Sequence, residues 1–449
     1  MAALPKFLHR AVNRLLGRST IEAGGSGRRW PHPGLRAPSK EILARRVIAG
    51  ARAAAFVANS PYGSSLLTVW TTNLVADGPA MRPKTTDKSL RRDLQARWSE
   101  FWDTCDADGL TDLGGFLQRV ARSEFVFGEA FVHMSVDRED RGLRLRLWSP
   151  DQVDPSLTRD IGGGRRIVAG IEIGIDGQRL AYHVRENADI PFATPYGTRR
   201  IPADDVIHIY EPIFPGQMRG LSRLASVATR LSEVDKLEDA LLAKANTAAL
   251  FGGVFYRPDD GTGAPLPGQV DLGEYGLEPG SMMIAPPGYQ VAFTDPPSTD
   301  GAIDFLRSQI RSIAAGVGVP YELLSADLSQ VNYSSARLGL LEFRRRMTAL
   351  QKNMITGRLL LPVWRRFLLL EALGNRLPMG QALTTGAEFV FPDWPQIDPL
   401  KETQADAAAI KARIKSRFEV IGARGRDPET VDEEITQDTP ATLTQKEAA

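Results

Sequence analysis

Asp103, Asp106, Asp108 and Asp112 place four carboxylates within one short stretch around Cys105 and Gly109. Such a density suggests a divalent cation, held either in an EF-hand loop or in the site of a metal-dependent nuclease. An EF-hand loop aligned on Gly109 as its sharp turn needs oxygen ligands at its first and twelfth positions. Thr104 and Gly115 stand there, so the bidentate carboxylate is missing, and a carboxylate cluster capping the next helix is the simpler reading. His9, His32, His133, His183 and His208 lack metal-ligand spacing, and the last three fall in strand-like segments where a hydrogen-bonded histidine is expected. Cys105 is the single cysteine. It cannot form an internal disulfide, which fits a reducing compartment, and nothing near it in sequence would lower its pKa. No Gly-Lys-Ser/Thr cradles a phosphate, and Gly220-Leu221-Ser222-Arg223-Leu224 fails the nucleophile-elbow pattern at its last position. The residues therefore predict no catalytic centre, no metal and no cofactor.

Two charge clusters remain. Glu233, Asp235, Glu238 and Asp239 lie within two helical turns, and Arg337, Arg344, Arg345, Arg346 and Lys352 form a basic run. Three consecutive arginines point in three directions around a helix, so the run cannot face one partner with all its charges. Residues 1–55 carry eleven Lys/Arg against two acids, whereas the chain outside 1–55, 337–366 and 401–449 holds 28 basic and 41 acidic residues. Over all 449 residues the formal net charge is only +1, which excludes a bulk nucleic-acid binder by composition alone.

The elements that must carry these clusters follow from periodicity. Ile42–Val57, Ser64–Leu74, Leu90–Asp103 and Leu113–Phe127 read as helices, the third with a stripe of Leu94, Trp98, Phe101 and Trp102. Ala130–Ser135, Leu143–Trp148, Ile167–Ile173, Ala181–Val184 and Val206–Tyr210 then read as strands, with Gly162-Gly163-Gly164 as a hairpin turn. Leu224, Val227, Leu231, Val234, Leu237, Leu241, Ala245 and Ala248 predict one amphipathic helix of roughly 28 residues. Residues 254–299 are Pro/Gly-rich with short β runs. Helices are expected at Ala302–Val317 and from Ser335 to Leu373, the latter kinked near Gly357 and Pro362 because proline removes a backbone bond. Glu388–Phe391 reads as a strand, and Lys401–Phe418 and Pro428–Ile435 as helices.

Hydrophobic residues are 43% and charged residues 24%, enough to bury a sizeable core and against wholesale disorder. No apolar run approaches the ~20 residues that span a bilayer, so a soluble intracellular chain without membrane contact is expected. The amphipathic, acid-poor start, MAALPKFLHRAVNRLLGRST, fits a mitochondrial transit peptide or a basic arm. The arm is preferred, since no enzyme-like domain follows.

Four ordered blocks are distinctive: Ile201–Tyr210, Phe214-Pro-Gly-Gln-Met-Arg-Gly-Leu-Ser222, Ile313–Leu324 and Asn332-Tyr-Ser-Ser-Ala-Arg337. With Trp98–Gly109, Trp394 and Asp398-Pro399-Leu-Lys-Glu402, they closely resemble the lambda-type portal family of tailed bacteriophages, including prophage and gene-transfer-agent relatives. The resemblance runs from about residue 55 to 440. It implies an α+β portal fold: an α/β wing (56–220), a two-helix stem (221–250 and 301–324), a β-rich clip (251–300), a tunnel loop (325–334), a long kinked helix with its return to the wing (335–395), and a small helical crown running into the C-terminal tail (396–449); the N-terminal basic arm (1–55, expected to be flexible) and the last ten residues lie outside the resemblance.

The resemblance further implies a homo-oligomeric ring, usually of twelve subunits, at one capsid vertex. Double-stranded DNA passes through its channel without sequence specificity during packaging and ejection. The implied partners are the terminase large subunit, the head-tail adaptor and the major capsid or scaffold protein, with assembly in the bacterial host cytoplasm. Ser329, Gln330, Asn332 and Tyr333 would form the tunnel loop. Glu233, Glu238 and Asp239 would either face the lumen and repel the duplex or pair with arginines such as Arg307 and Arg311 across a subunit boundary. Arg337, Arg344, Arg345, Arg346 and Lys352 would meet DNA or a neighbouring subunit. Two rival readings are a metal-dependent nuclease using the Asp103–Asp112 cluster and a monomeric basic DNA-binding protein.

Overall fold

The computed structural model describes residues 38–137, 141–186, 196–250, 254–256, 290–292, 301–329, 333–392, 394, 399–424, 426 and 428–438. Most of the expected arm, most of 251–300, Gln330, Asn332 and the tail from 439 lie outside the described residues. Helices α1 (Pro38–Asn59) and α2 (Pro61–Val75) lead through β1 (Ala80–Lys84) to α3 (Lys88–Thr104) and α4 (Leu113–Phe127). Short strands follow: β2 (Glu129–Val136), β3 (Leu143–Trp148), β4 (Arg159–Gly162), β5 (Arg165–Val168), β6 (Ile171–Ile173), β7 (Arg179–Glu186), β8 (Tyr196–Pro202) and β9 (Val206–Tyr210). Next come α5 (Ala228–Leu250), β10 (Val254–Tyr256), β11 (Gln290–Ala292), α6 (Ala302–Val317) and α7 (Tyr321–Ser325). A helical run comprises α8 (Tyr333–Leu350), a π-helical stretch (Gln351–Leu360) and α9 (Leu361–Leu373). The chain closes with α10 (Met379–Thr384), β12 (Gly386–Val390), α11 (Pro399–Lys411), α12 (Arg417–Ala423) and α13 (Pro428–Asp438).

The described residues form two compact units, one of 38–54, 71–223 and 346–438, the other of 55–70 and 224–345. In the first, β3-β2-β9 make one antiparallel sheet and β4-β5-β6-β7-β8 a second, while β1 pairs with β12. Phe131, Trp148, Ile171, Tyr182, Val184, Ile201 and Val206, drawn from both larger sheets, share one apolar core. A second, aromatic core joins Trp98 and Phe101 of α3 to Trp364 and Phe367 of α9 and to Phe389, with ring centroids 4.9–5.9 Å apart. Asp87 caps α3 by accepting from the amides of Ser89 and Leu90 (2.9 and 3.2 Å), and Asp112 caps α4 by accepting from Gly115 (2.8 Å).

Several expected boundaries change, each for a local reason. Ile167–Ile173 is not one strand but the hairpin β5–β6, turning at Ala169 and Gly170, whose φ values are +47° and +81°. Both legs are apolar and the turn lacks polar punctuation, so the sequence reads as continuous. The helix expected from Leu224 starts only at Ala228; Leu224 and Val227 belong to a preceding turn and mimic the helical period because they are buried. Lys401–Phe418 divides into α11 and α12, since Arg413 takes φ +58° and Ser416 caps the second helix at Glu419 (3.0 Å). Ahead of Pro362 the helical run turns π-helical: the Leu361 amide donates to Thr356, five residues back, just before the residue that has no amide hydrogen.

In the second unit, α5 and α6 run antiparallel. Ser226, just ahead of α5, donates to the Gly316 carbonyl (3.4 Å), and one helical turn further on Arg230 reaches Gln309 (3.2 Å). Gly316 is a close-approach site, because a Cβ there would stand 2.3 Å from Val227. Residues 55–70 are tied to this unit by Ser60 to Asp235 (3.1 Å), Tyr62 to Glu238 (2.7 Å) and Ser65 to the Leu324 carbonyl (2.8 Å).

Candidate functional site

The aspartate cluster is built into the first unit by its own chain. Asp106 accepts from the amides of Asp108, Leu110 and Thr111 (3.1, 3.1 and 3.2 Å) and from Arg119 (2.8 Å). Asp108 faces Arg146 (3.0 Å) and Arg119 (3.7 Å), while Asp112 caps α4. Both arginines neutralise the carboxylates a cation would need. Among the described residues no three His, Cys, Asp or Glu converge as a metal site. Burial pushes the Cys105 thiol up to about 12, so it stays protonated and unreactive.

The strongest electrostatic constellation was not singled out in the sequence. Glu129, at the start of β2, is fully buried and accepts from Arg219 (2.7–3.1 Å), the Gly220 amide (2.7 Å), His208 (3.1 Å) and Arg46 of α1. Arg219, equally buried, also donates to the carbonyls of Pro150 (2.8 Å), Val153 (3.3 Å) and Ala169 (2.6 Å). Burial alone would raise the Glu129 carboxyl, but Arg219, His208 and Arg46 hold it well below the usual carboxylate range. His208 Nδ1 faces the Arg179 guanidinium at 3.1 Å, which can only donate, so the ring's proton lies on Nε2 toward Glu129. Burial lowers this imidazole to about 3 against the pull of Glu129, so it is neutral. Two features could have flagged the node: an acid between the apolar runs Phe125-Val126-Phe127 and Ala130-Phe131-Val132, and an arginine inside the Phe214–Ser222 block.

The node explains that block residue by residue. Gly128 (φ +81°) ends α4, and a Cβ there would sit 2.1 Å from Leu221; one on Gly220 would sit 2.1 Å from the Gly128 carbonyl. Gln217 accepts from the amides of Ile213 and Phe214 (2.9 and 3.3 Å) and donates to the Arg219 carbonyl (2.9 Å).

The singled-out residues of the second unit spread over several elements. Glu233 is exposed and bound by Lys236 (2.8 Å), Glu238 is half-buried under Tyr62, and Asp239 is exposed. Within the chain Arg307 lies near Asp304 (3.7 Å) and Asp327 (3.5 Å), and Arg311 stacks on Tyr321. Ser329 donates its hydroxyl to Asp327 (2.5 Å), which also accepts from Tyr321 (3.1 Å). Tyr333 opens α8. Arg337 and Arg345 are exposed and Arg344 is half-buried; in the first unit Arg346 and Lys352 are exposed.

The chain belongs to the lambda family of phage portal proteins, whose family model matches residues 24–351. Portal proteins are structural, non-enzymatic components of the virion. The chain is 27% identical over 402 residues to the probable portal protein of Halomonas phage phiHAP-1, covering 84% of this chain and 74% of that one. It is 25% identical over 465 residues to portal protein B of Escherichia phage lambda, covering 90% and 85%. Among solved structures it resembles a chain in the neck of a native gene transfer agent particle computed with C12 symmetry, with TM-score 0.50 and 16% identity over 91% of this chain and 98% of that one.

Proposed function

We propose that the chain is the subunit of a closed ring at one capsid vertex, the channel through which double-stranded DNA is packaged and ejected. The carrying observation is the α5–α6 hairpin. Beyond Val234 and before Ile310, residues 235–246 and 302–309 include none that is buried, and Leu242, Ile303 and Phe305 are 62%, 65% and 56% exposed. A helix pair without a core of its own needs neighbours, and repetition around an axis supplies them. The hairpin would be the stem and the segment 251–300 at its end the clip, which would dock the terminase large subunit and then the head-tail adaptor. The unit of 71–223 and 346–395 would form the wing, and α11–α13 the crown. Capsid or scaffold protein would surround the ring, assembled in the host cytoplasm.

Passage requires weak contact with phosphates, since ~6–10 neutralised phosphates change affinity by ~10³–10⁵ between low and moderate salt. Exposed Glu233 and Asp239 would keep the duplex moving if they face the lumen. The loop 325–334, with Gln330, Asn332 and Tyr333, would touch DNA through neutral groups, while Asp327 holds Ser329 at its base. Arg337 and Arg345 would meet DNA or the next subunit. The ring reading is tested by Ile303→Glu combined with Phe305→Glu. This variant should lose the ring and sediment as a monomer with unchanged near-ultraviolet dichroism; intact rings would remove the hairpin from the subunit contact.

A further inference from the structure

The loop after β9 places six consecutive exposed residues on the surface of the first unit, Glu211-Pro212-Ile213-Phe214-Pro215-Gly216. Four in a row are apolar, with Ile213 59% and Phe214 41% exposed. An exposed apolar run of that length is unfavourable unless a partner covers it. The loop is also held in one shape. Buried Gln217 clamps the amides of Ile213 and Phe214, and the Tyr210 hydroxyl donates to the Gln217 carbonyl at 2.9 Å. Pro212 and Pro215 fix their own φ, and Gly216 closes the turn at φ +75°. Little conformational freedom is left to lose on binding, which is the condition for a preorganised anchor.

At the opposite end of β9 the same unit has a cleft of about 590 Å³. Met134, Pro202, Pro362 and Leu369 give it apolar walls, and Asp205 there is neutralised by Arg366 at 2.7 Å. Exposed Arg365 and Asp204 stand on its rim. Glu211 is paired with Arg223 at 2.9 Å but keeps 55% of its side chain exposed, so a Glu211 brought to the rim would be attracted by Arg365 and repelled by Asp204. Knob and cleft flank a strand of five residues, on the order of 17 Å long, and cannot fill one another within a chain. Head-to-tail repetition fills both, and such a contact closes into a ring when the rotation allows.

We propose that the Ile213-Phe214 tip of one copy seats in the Met134–Pro362–Leu369 cleft of the next copy of this chain, with Glu211 facing Arg365. The inference rests on the ring reading above and adds a second, independent contact to it. The test is Phe214→Cys with Leu369→Cys in the full chain, treated with a short bis-maleimide after assembly; buried Cys105 is left in place. A parallel pair, Ile213→Cys with Arg365→Cys, guards against failure of the first to assemble. Each double variant should give a ladder of covalent multimers on a denaturing gel. Each single variant should stay monomeric, and co-assembled singles should stop at dimers. Rings of normal mass whose double variants remain monomeric would overturn the loop-in-cleft contact while leaving the ring reading intact. A wild-type chain that forms no ring would overturn the ring reading itself, and this contact with it.

Discussion

At the scale of single residues, Glu129 and Arg219 decide the stability of the first unit. Replacing Glu129 with Leu leaves Arg219 buried without its counter-charge, and should cost about 3–5 kcal/mol in urea unfolding. A near-neutral result would mean the arginine finds another partner. His208 sets the acid response. Its folded pKa of about 3 lies below the ordinary 6.5, so under pH 6.5 the unfolded chain takes up a proton that the folded chain refuses. Stability should therefore fall as pH drops from about 6.5 toward 3. Glu129, held below its ordinary 4.5, should add to the loss beneath that value. Thermal melts of His208→Gln should show a shallower loss between pH 6.5 and 5, the remainder coming from His133, whose imidazole burial also lowers, whereas an unchanged slope would place the titration elsewhere. None of this was legible beforehand, because burial of a charge depends on residues 46, 129, 208 and 219 meeting across the fold, and the sequence carries only the oddity of charges in apolar company.

At the scale of elements, local signals were legible where they were complete. Helix α4 ends at Phe127 and α6 at Val317, as read, because Gly128 and Gly318 take left-handed φ values of +81° and +79° and stop them. Strands β3 and β9 likewise keep their expected bounds. Pairing between distant segments was not legible. Strand β1 carries Pro83 and finds its only strand partner among the described residues in β12, some 300 positions on, so no short window reveals it. The crossing of Gly128 and Gly220 is of the same kind. Gly220→Ala should destabilise the protein by at least about 2 kcal/mol, since its Cβ meets rigid backbone rather than a side chain that can turn away. A melting temperature equal to wild type would show that the two turns can separate.

At the scale of the whole molecule, near-zero net charge conceals an acidic body and two basic segments, and the α5–α6 hairpin has apolar side chains that stay exposed among the described residues. Both features make sense in a repeated assembly around DNA. The two helices on either side of the segment 251–300 were legible in the sequence, because helical periodicity survives in linear reading. Which side chains face the axis was not, because that depends on neighbours a single sequence does not contain. Membership of the portal family makes the ring the central claim, and the direct measurement is negative-stain microscopy with mass determination on the purified full chain. The account predicts closed rings with a central hole and a mass near twelve chains. A monodisperse monomer that stays monomeric at high concentration would contradict it.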